Sequence, residues 1–117
     1  MAFRKAVQRL TTPVDELDRE DLAAFCSARG FVPIPSIEPR TRVSTGGEVR
    51  SVRIVPRAGA PALEVTFSDG NASATAVFLG RRKIAGMAAG RKLAVTGMVA
   101  LDGKQLMLYN PEYTFIG

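Results

Sequence analysis

The side chain that acid–base catalysis uses most often is missing from this sequence. It contains no histidine and no tryptophan, and its one cysteine is Cys26. Without histidine there is neither an imidazole general base nor a Cys/His zinc site, and a lone cysteine closes no disulfide within the chain. Cys26 also falls on an apolar helical stripe with Leu17, Leu22 and Phe25, where a cysteine packs rather than reacts. The carboxylates Glu64, Asp69, Asp102 and Glu112 lie on separate segments, and Asp69 and Asp102 each precede a glycine in a turn. Gly80-Arg81-Arg82-Lys83 lacks the glycine spacing and the Lys-Ser/Thr ending of a phosphate-gripping P-loop. The expectation is a protein that is not an enzyme and uses no cofactor or metal.

Cations, by contrast, are plentiful. Sixteen Lys and Arg stand against eleven Asp and Glu, a net charge of +5. Residues 1–30 hold five of each sign, so residues 31–117 carry the whole excess, eleven basic against six acidic. A basic excess confined to one part of a chain suits a polyanionic partner, because each phosphate neutralised releases condensed counterion. Arg42, Arg50 and Arg53 are expected to project from a first strand, with Arg57 in the loop after it. Arg81, Arg82 and Lys83 open the segment after a third strand, Arg91 and Lys92 begin a fourth, and Lys104 lies in the loop that follows. Guanidinium groups match phosphate oxygens by forked hydrogen bonding. Taken singly, each of these ten is better explained as a solvated surface charge; only in the Arg81-Arg82-Lys83 cluster does the binding reading come first.

These side chains need a scaffold, and 117 residues make one domain. With 46% hydrophobic and 23% charged residues the chain has the composition of a soluble globular fold. No uncharged run approaches the roughly 18 residues of a membrane span, and no apolar segment follows the basic Met1–Lys5 start, so a cytoplasmic protein without a membrane partner is expected. Thr12-Pro13-Val14-Asp15 is a helix N-terminus signature, and Gly30 supplies the stop. One bent helix or two short ones both fit between them, and residues 1–11 read as a short basic helix or a frayed arm. Pro33, Pro35 and Pro39 make Phe31–Pro39 an extended connector, so that a helical segment with its connector (residues 1–39) precedes a strand-forming part (residues 40–117).

From Arg42 the periodicity changes to two. Arg42–Ile54 alternates around a Gly46-Gly47 pair that marks a bend, and Pro56–Pro61 reads as a loop. Leu63–Ser68 and Ala72–Leu79 are strands joined by Asp69-Gly70-Asn71, a hairpin turn. The first of these should bury Leu63, Val65 and Phe67 and turn Glu64, Thr66 and Ser68 outward; the second should bury Ala74, Ala76 and Phe78 and turn Thr75 and Val77 outward. Gly80–Gly90 is a short helix or turn. Lys92–Leu101 is a fourth strand, and Gln105–Tyr109 a fifth, its continuation past Pro111 to Phe115 left open. Five strands with a bent first one and a short helix between the third and fourth give the ordering of the OB-fold, a mainly β, five-stranded Greek-key barrel. An SH3-like barrel or an open sandwich would not expect that helix.

Particular residues sharpen this reading. Glu48-Val49-Arg50-Ser51-Val52, Leu63–Gly70, Val77-Phe78-Leu79 and Gly90–Val99 resemble the OB "wedge" domain of RecG-type branched-DNA helicases. Leu108-Tyr109-Asn110-Pro111-Glu112-Tyr113 is similar to the His-Pro-Glu-Tyr ending of those wedges, with Asn110 replacing the histidine. Over nearly its whole length the chain resembles small actinobacterial single-domain OB-fold proteins described as nucleic-acid-binding. The resemblance implies nucleic-acid binding as a property of the fold, and the absence of a helicase motor excludes carrying over ATP-driven unwinding. DNA, single-stranded or branched, is expected ahead of RNA, held through phosphates with little base specificity, and the N-terminal helix is available to a protein partner. The competing expectation is an adaptor that kept the fold and lost strong nucleic-acid binding, since the outward faces of the second and third strands hold no aromatic residue for base stacking.

Overall fold

The computed structural model describes residues 14–117, so the expected Thr12 cap and the 1–11 segment lie outside the described residues. Helix α1 (Val14–Ala28) is a single element, which decides between the one-helix and two-helix readings. It buries Leu22 and Cys26, one turn apart, with Leu17 and Phe25 half-buried beside them. It ends as expected at Gly30, whose φ of 74° lets the Gly30 N–H donate to the Ser27 carbonyl and the Phe31 N–H to that of Cys26. That pair of reverse bonds is the Schellman motif.

The proline-rich connector is extended apart from one 3-10 turn, Ile34–Ser36. It also contributes to the core: Ile34 is 1% exposed, and with Ile37 it joins the cluster formed by the strands. The Ile34 N–H donates to Asp69 Oδ2 at 2.8 Å, while Asp69 Oδ1 accepts from Asn71 and Ala72. One buried carboxylate thus forms the expected 69–72 turn and ties the connector to it.

Strand β1 (Arg42–Arg57) is long because it serves two partners. Its first half pairs antiparallel with β4 (Lys92–Asp102), from Arg42↔Met98 to Glu48↔Lys92. Its second half pairs with β2 (Ala60–Ser68), from Glu48↔Ser68 to Arg57↔Ala60. The change of partner falls at Glu48, directly after the Gly46-Gly47 pair where the sequence predicts a bend. A Cβ on Gly46 would press on the Phe31 ring and the Leu93 carbonyl, and one on Gly47 would overlap the Ser68 backbone. Arg50 is the extra residue of a bulge between Val49 and Ser51.

The expected loop at 56–61 is instead a hairpin. Pro56 and Pro61 face each other in the ladder, and only Ala58 and Gly59 turn, both with positive φ (51° and 79°). Two such residues make the tight connection whose twist matches that of the strands, and prolines are tolerated at a strand end. Strand β3 (Ser73–Leu79) pairs with β2 along its length and runs parallel to β5 (Gln105–Tyr109) over Thr75–Val77. Strand β5 pairs with β4 through the Asp102-Gly103 turn. The chain is therefore mainly β, and five strands form a ring in the order β1-β2-β3-β5-β4 and back to β1.

Two expectations are corrected here. The segment between β3 and β4 contains no helix: Gly80, Gly86 and Gly90 all have positive φ (74°, 80° and 93°) and break it into turns. Ile84 and Met87 from this segment are buried in the core, doing the packing a short helix would have done. The strands number six rather than five, because the last is interrupted at Asn110-Pro111. Asn110 has φ 49°, its N–H donates to the Val77 carbonyl at 2.7 Å, and its Oδ1 accepts from the Leu79 N–H at 2.9 Å. Beyond it β6 (Glu112–Ile116) pairs with Lys92–Thr96 of β4. The ring interior is filled by Val49, Leu63, Val65, Phe67, Leu93, Val95 and Leu108, among others.

Candidate nucleic-acid interface

The outer surface of β2 and β3 is where the sequence places exposed polar side chains. Leu63, Val65, Phe67, Ala74, Ala76 and Phe78 point inward as expected. Their outward neighbours are far less open than alternation alone suggests. Thr75 is buried with its hydroxyl 3.2 Å from that of Thr66, and Val77 is buried in a second small apolar cluster with Ala62 and Met107. Glu64 is only 8% exposed. It accepts from Arg57 at 2.9 and 3.1 Å and from Arg53 at 3.3 Å, and the Arg57 guanidinium also lies over the Tyr109 ring at 5.6 Å. The hydrogen bond to Glu64 pushes the Arg57 pKa up from its ordinary value. This face is a closed polar lattice, and the outward Thr75 and Val77 are not accessible.

Several of the ten candidate cations are similarly committed. Arg57 sits at the end of β1 rather than in a loop, and with Arg53 it neutralises Glu64. Arg50, on the bulge, lies 2.9 Å from Glu48, whose other oxygen is 3.9 Å from Lys92; Arg42 is 3.7 Å from Glu112. Such pairs at partly exposed sites contribute little stability, but they set which cations face solvent uncompensated. Lys104 is exposed in the β4–β5 turn.

The remaining four converge differently. Arg81, Arg82 and Lys83 are exposed, and no carboxylate among the described residues lies within ion-pair distance of them. Arg82 and Lys83 line a cavity of ≈ 580 Å³ together with Arg91, which arrives from the far end of the same segment. Val52 and Leu63 form part of its apolar wall, and the turns from Gly86 to Gly90 line it as well. Arg91 is held in place by stacking, its guanidinium 4.0 Å from the Phe115 ring centroid. A stacked guanidinium keeps its in-plane N–H donors free for an anion. Arg81 stands next to this cavity in the chain without lining it.

Reasoning from sequence identified the cluster but missed its partners. Arg91 and Lys83 are eight residues apart, and only the turns imposed by Gly86 and Gly90 bring them to one cavity. Phe115 as the support of Arg91, and Glu64 as the organiser of the outer face, depend on strand register, which composition does not reveal. Cys26 is 4% exposed, with Sγ 3.9 Å from the Gly46 carbonyl. Its thiol is pushed up to about 11, first by burial and then by the charge of Asp69, with Lys92 pulling the other way. A protonated, enclosed thiol is a packing group. No helix among the described residues is long and apolar enough to cross a membrane. Comparison of the chain with protein-family models and with curated proteins found no match.

Proposed function

We propose that this chain is a cytoplasmic OB-fold module that binds nucleic acid, DNA ahead of RNA, through phosphate contacts and with little base specificity. The observation that carries the reading is the convergence of Arg82, Lys83 and Arg91 on one cavity with no carboxylate in its lining, beside an equally unpaired Arg81. The ring order, with its bent β1 and parallel β3–β5 contact, supports the OB assignment. The resemblance to RecG-type wedges extends the proposal to branched DNA.

The test is fluorescence anisotropy with single-stranded, duplex and forked DNA and single-stranded RNA at two salt concentrations. Expected is binding that weakens with salt and weakens further in the Arg81→Gln/Arg82→Gln/Lys83→Gln variant; a preference for the fork supports the wedge relationship. Absence of binding to all four at low salt overturns the reading. The adaptor reading has one observation in its favour, the lattice of Glu64, Arg53, Arg57 and Tyr109 that occupies the surface where OB-folds commonly stack bases. It predicts binding with no salt dependence, or none.

A further inference from the structure

The cavity beside the cationic cluster has the size and chemistry for one nucleotide, and its charge is specific about which one. A volume of ≈ 580 Å³ lies within the range of small-molecule sites and is too small for a duplex. Its walls divide the way a nucleotide does. The half-buried Val52 offers apolar surface to a base, backed by the core residues Leu63, Ile84 and Met87, and Arg82, Lys83 and Arg91 offer donors to a phosphate. Ile54, next but one to Val52 on the same face of β1 and paired with Leu63, is 57% exposed and prolongs the apolar wall outward.

Two other cavities among the described residues do not share this polarity. The one between α1 and β1 mixes Asp18, Asp21 and Glu48 with Arg50 and Lys92, and another joins Glu16 and Glu20 to Arg19. Three cations without a counter-charge in one small cavity exceed what an internal phosphodiester supplies, since that group carries a single negative charge. A terminal phosphomonoester carries about −1.5 to −2 at pH 7 and presents three acceptor oxygens. The match is to the end of a strand rather than its middle.

We propose that this cavity holds the phosphorylated terminal nucleotide of a bound single strand, the base against Val52 and the neighbouring Ile54 and the monoester on Arg82, Lys83 and Arg91. The inference rests on the nucleic-acid reading above and makes the site one for strand ends.

The experiment compares one single-stranded DNA oligonucleotide carrying a 5′-phosphate, a 3′-phosphate or hydroxyls at both ends, on the full chain at fixed salt. One phosphorylated form is expected to bind on the order of tenfold tighter than the hydroxyl-ended strand, the scale of one set of charge-assisted hydrogen bonds. Ala88→Trp, which fills the cavity at an exposed position without removing a cation, is expected to erase that preference. If that variant does not fold, the comparison on the unaltered chain decides alone. Equal affinity for all three strands overturns the inference while leaving the nucleic-acid reading standing, whereas no binding to any of them removes both. Adenosine 5′-monophosphate binding more tightly than the phosphorylated strands also overturns it, because the cavity would then be a free-nucleotide site.

Discussion

At the residue scale, Cys26 and Glu64 show how burial redirects side chains that could do chemistry. The folded protein holds the Cys26 proton more tightly than the unfolded chain does, since the pKa rises from 9.0 to about 11. Stability from this source is complete below about pH 9 and is lost as pH climbs through the window up to 11. Cys26→Ala removes that particular loss, so the difference in unfolding free energy between the parent and this variant should shift across that window; a constant difference from pH 8 to 11 would contradict the buried-thiol account. Glu64 is the carboxylate that consumes two cations of the outer face. Glu64→Gln keeps the shape, releases Arg53 and Arg57 from ion pairing, lowers the Arg57 pKa toward its ordinary value and raises the net charge by one. Oligonucleotide anisotropy should then report tighter binding with a steeper salt dependence. Unchanged binding would place that face outside the contact surface.

At the element scale, glycines decide where the chain bends and how costly a change is. Gly30 closes α1 with positive φ, and a Cβ there would meet nothing within 4 Å. Gly30→Ala therefore carries only the left-handed backbone penalty, about 1 kcal/mol. Gly47 lies in β1 where a Cβ would run into the Ser68 backbone, which cannot swing aside as a side chain would. Gly47→Ala should cost about 3 kcal/mol or more, since overpacking here displaces a strand. Denaturant melts of the two variants check the ordering, and equal losses would mean that β1 accommodates a side chain at its bend. Much of this layer was legible in the sequence: the Gly30 stop, the Gly46-Gly47 bend, the 69–72 turn and the inward sets of β2 and β3 all follow from local patterns. Pro56–Pro61, a hairpin where a loop is expected, and Gly80–Gly90, where the turn reading holds and the short helix does not, depart from expectation for one reason. Local composition signals a break in regular structure without saying whether two residues turn or six, or whether the break is capped by a helix or by turns that bury Ile84 and Met87.

At the scale of the whole molecule, the proposed function is an electrostatic statement. The net charge of +5 is the balance of sixteen cations and eleven carboxylates, and of the ten candidate cations Glu48, Glu64 and Glu112 engage five, Arg50 with Lys92, Arg53 with Arg57, and Arg42. A single strand held mainly by Arg81, Arg82 and Lys83 should lose about 2 units of slope in log K against log salt when all three are neutralised, at roughly 0.7 per phosphate contact. Neutralising Arg42 and Arg50, whose charge is already offset, should change the slope far less. Equal effects of the two variants would mean that the basic residues act as a diffuse cloud rather than as a site.

The amino-acid sequence determined the chemistry available to this protein, because residue types need no fold to be counted. It lacks histidine, has one cysteine and carries its excess of cations after residue 30. It also determined the alternation and breaks that make a helix followed by strands, since those are interactions between near neighbours. Tertiary structure decided which cations remain free, which outward side chains are in fact covered, and that Arg82, Lys83 and Arg91 share a cavity. Each of those depends on strand register and on the closure of the ring. A shift of one residue in β1 against β2 would exchange every inward side chain for an outward one.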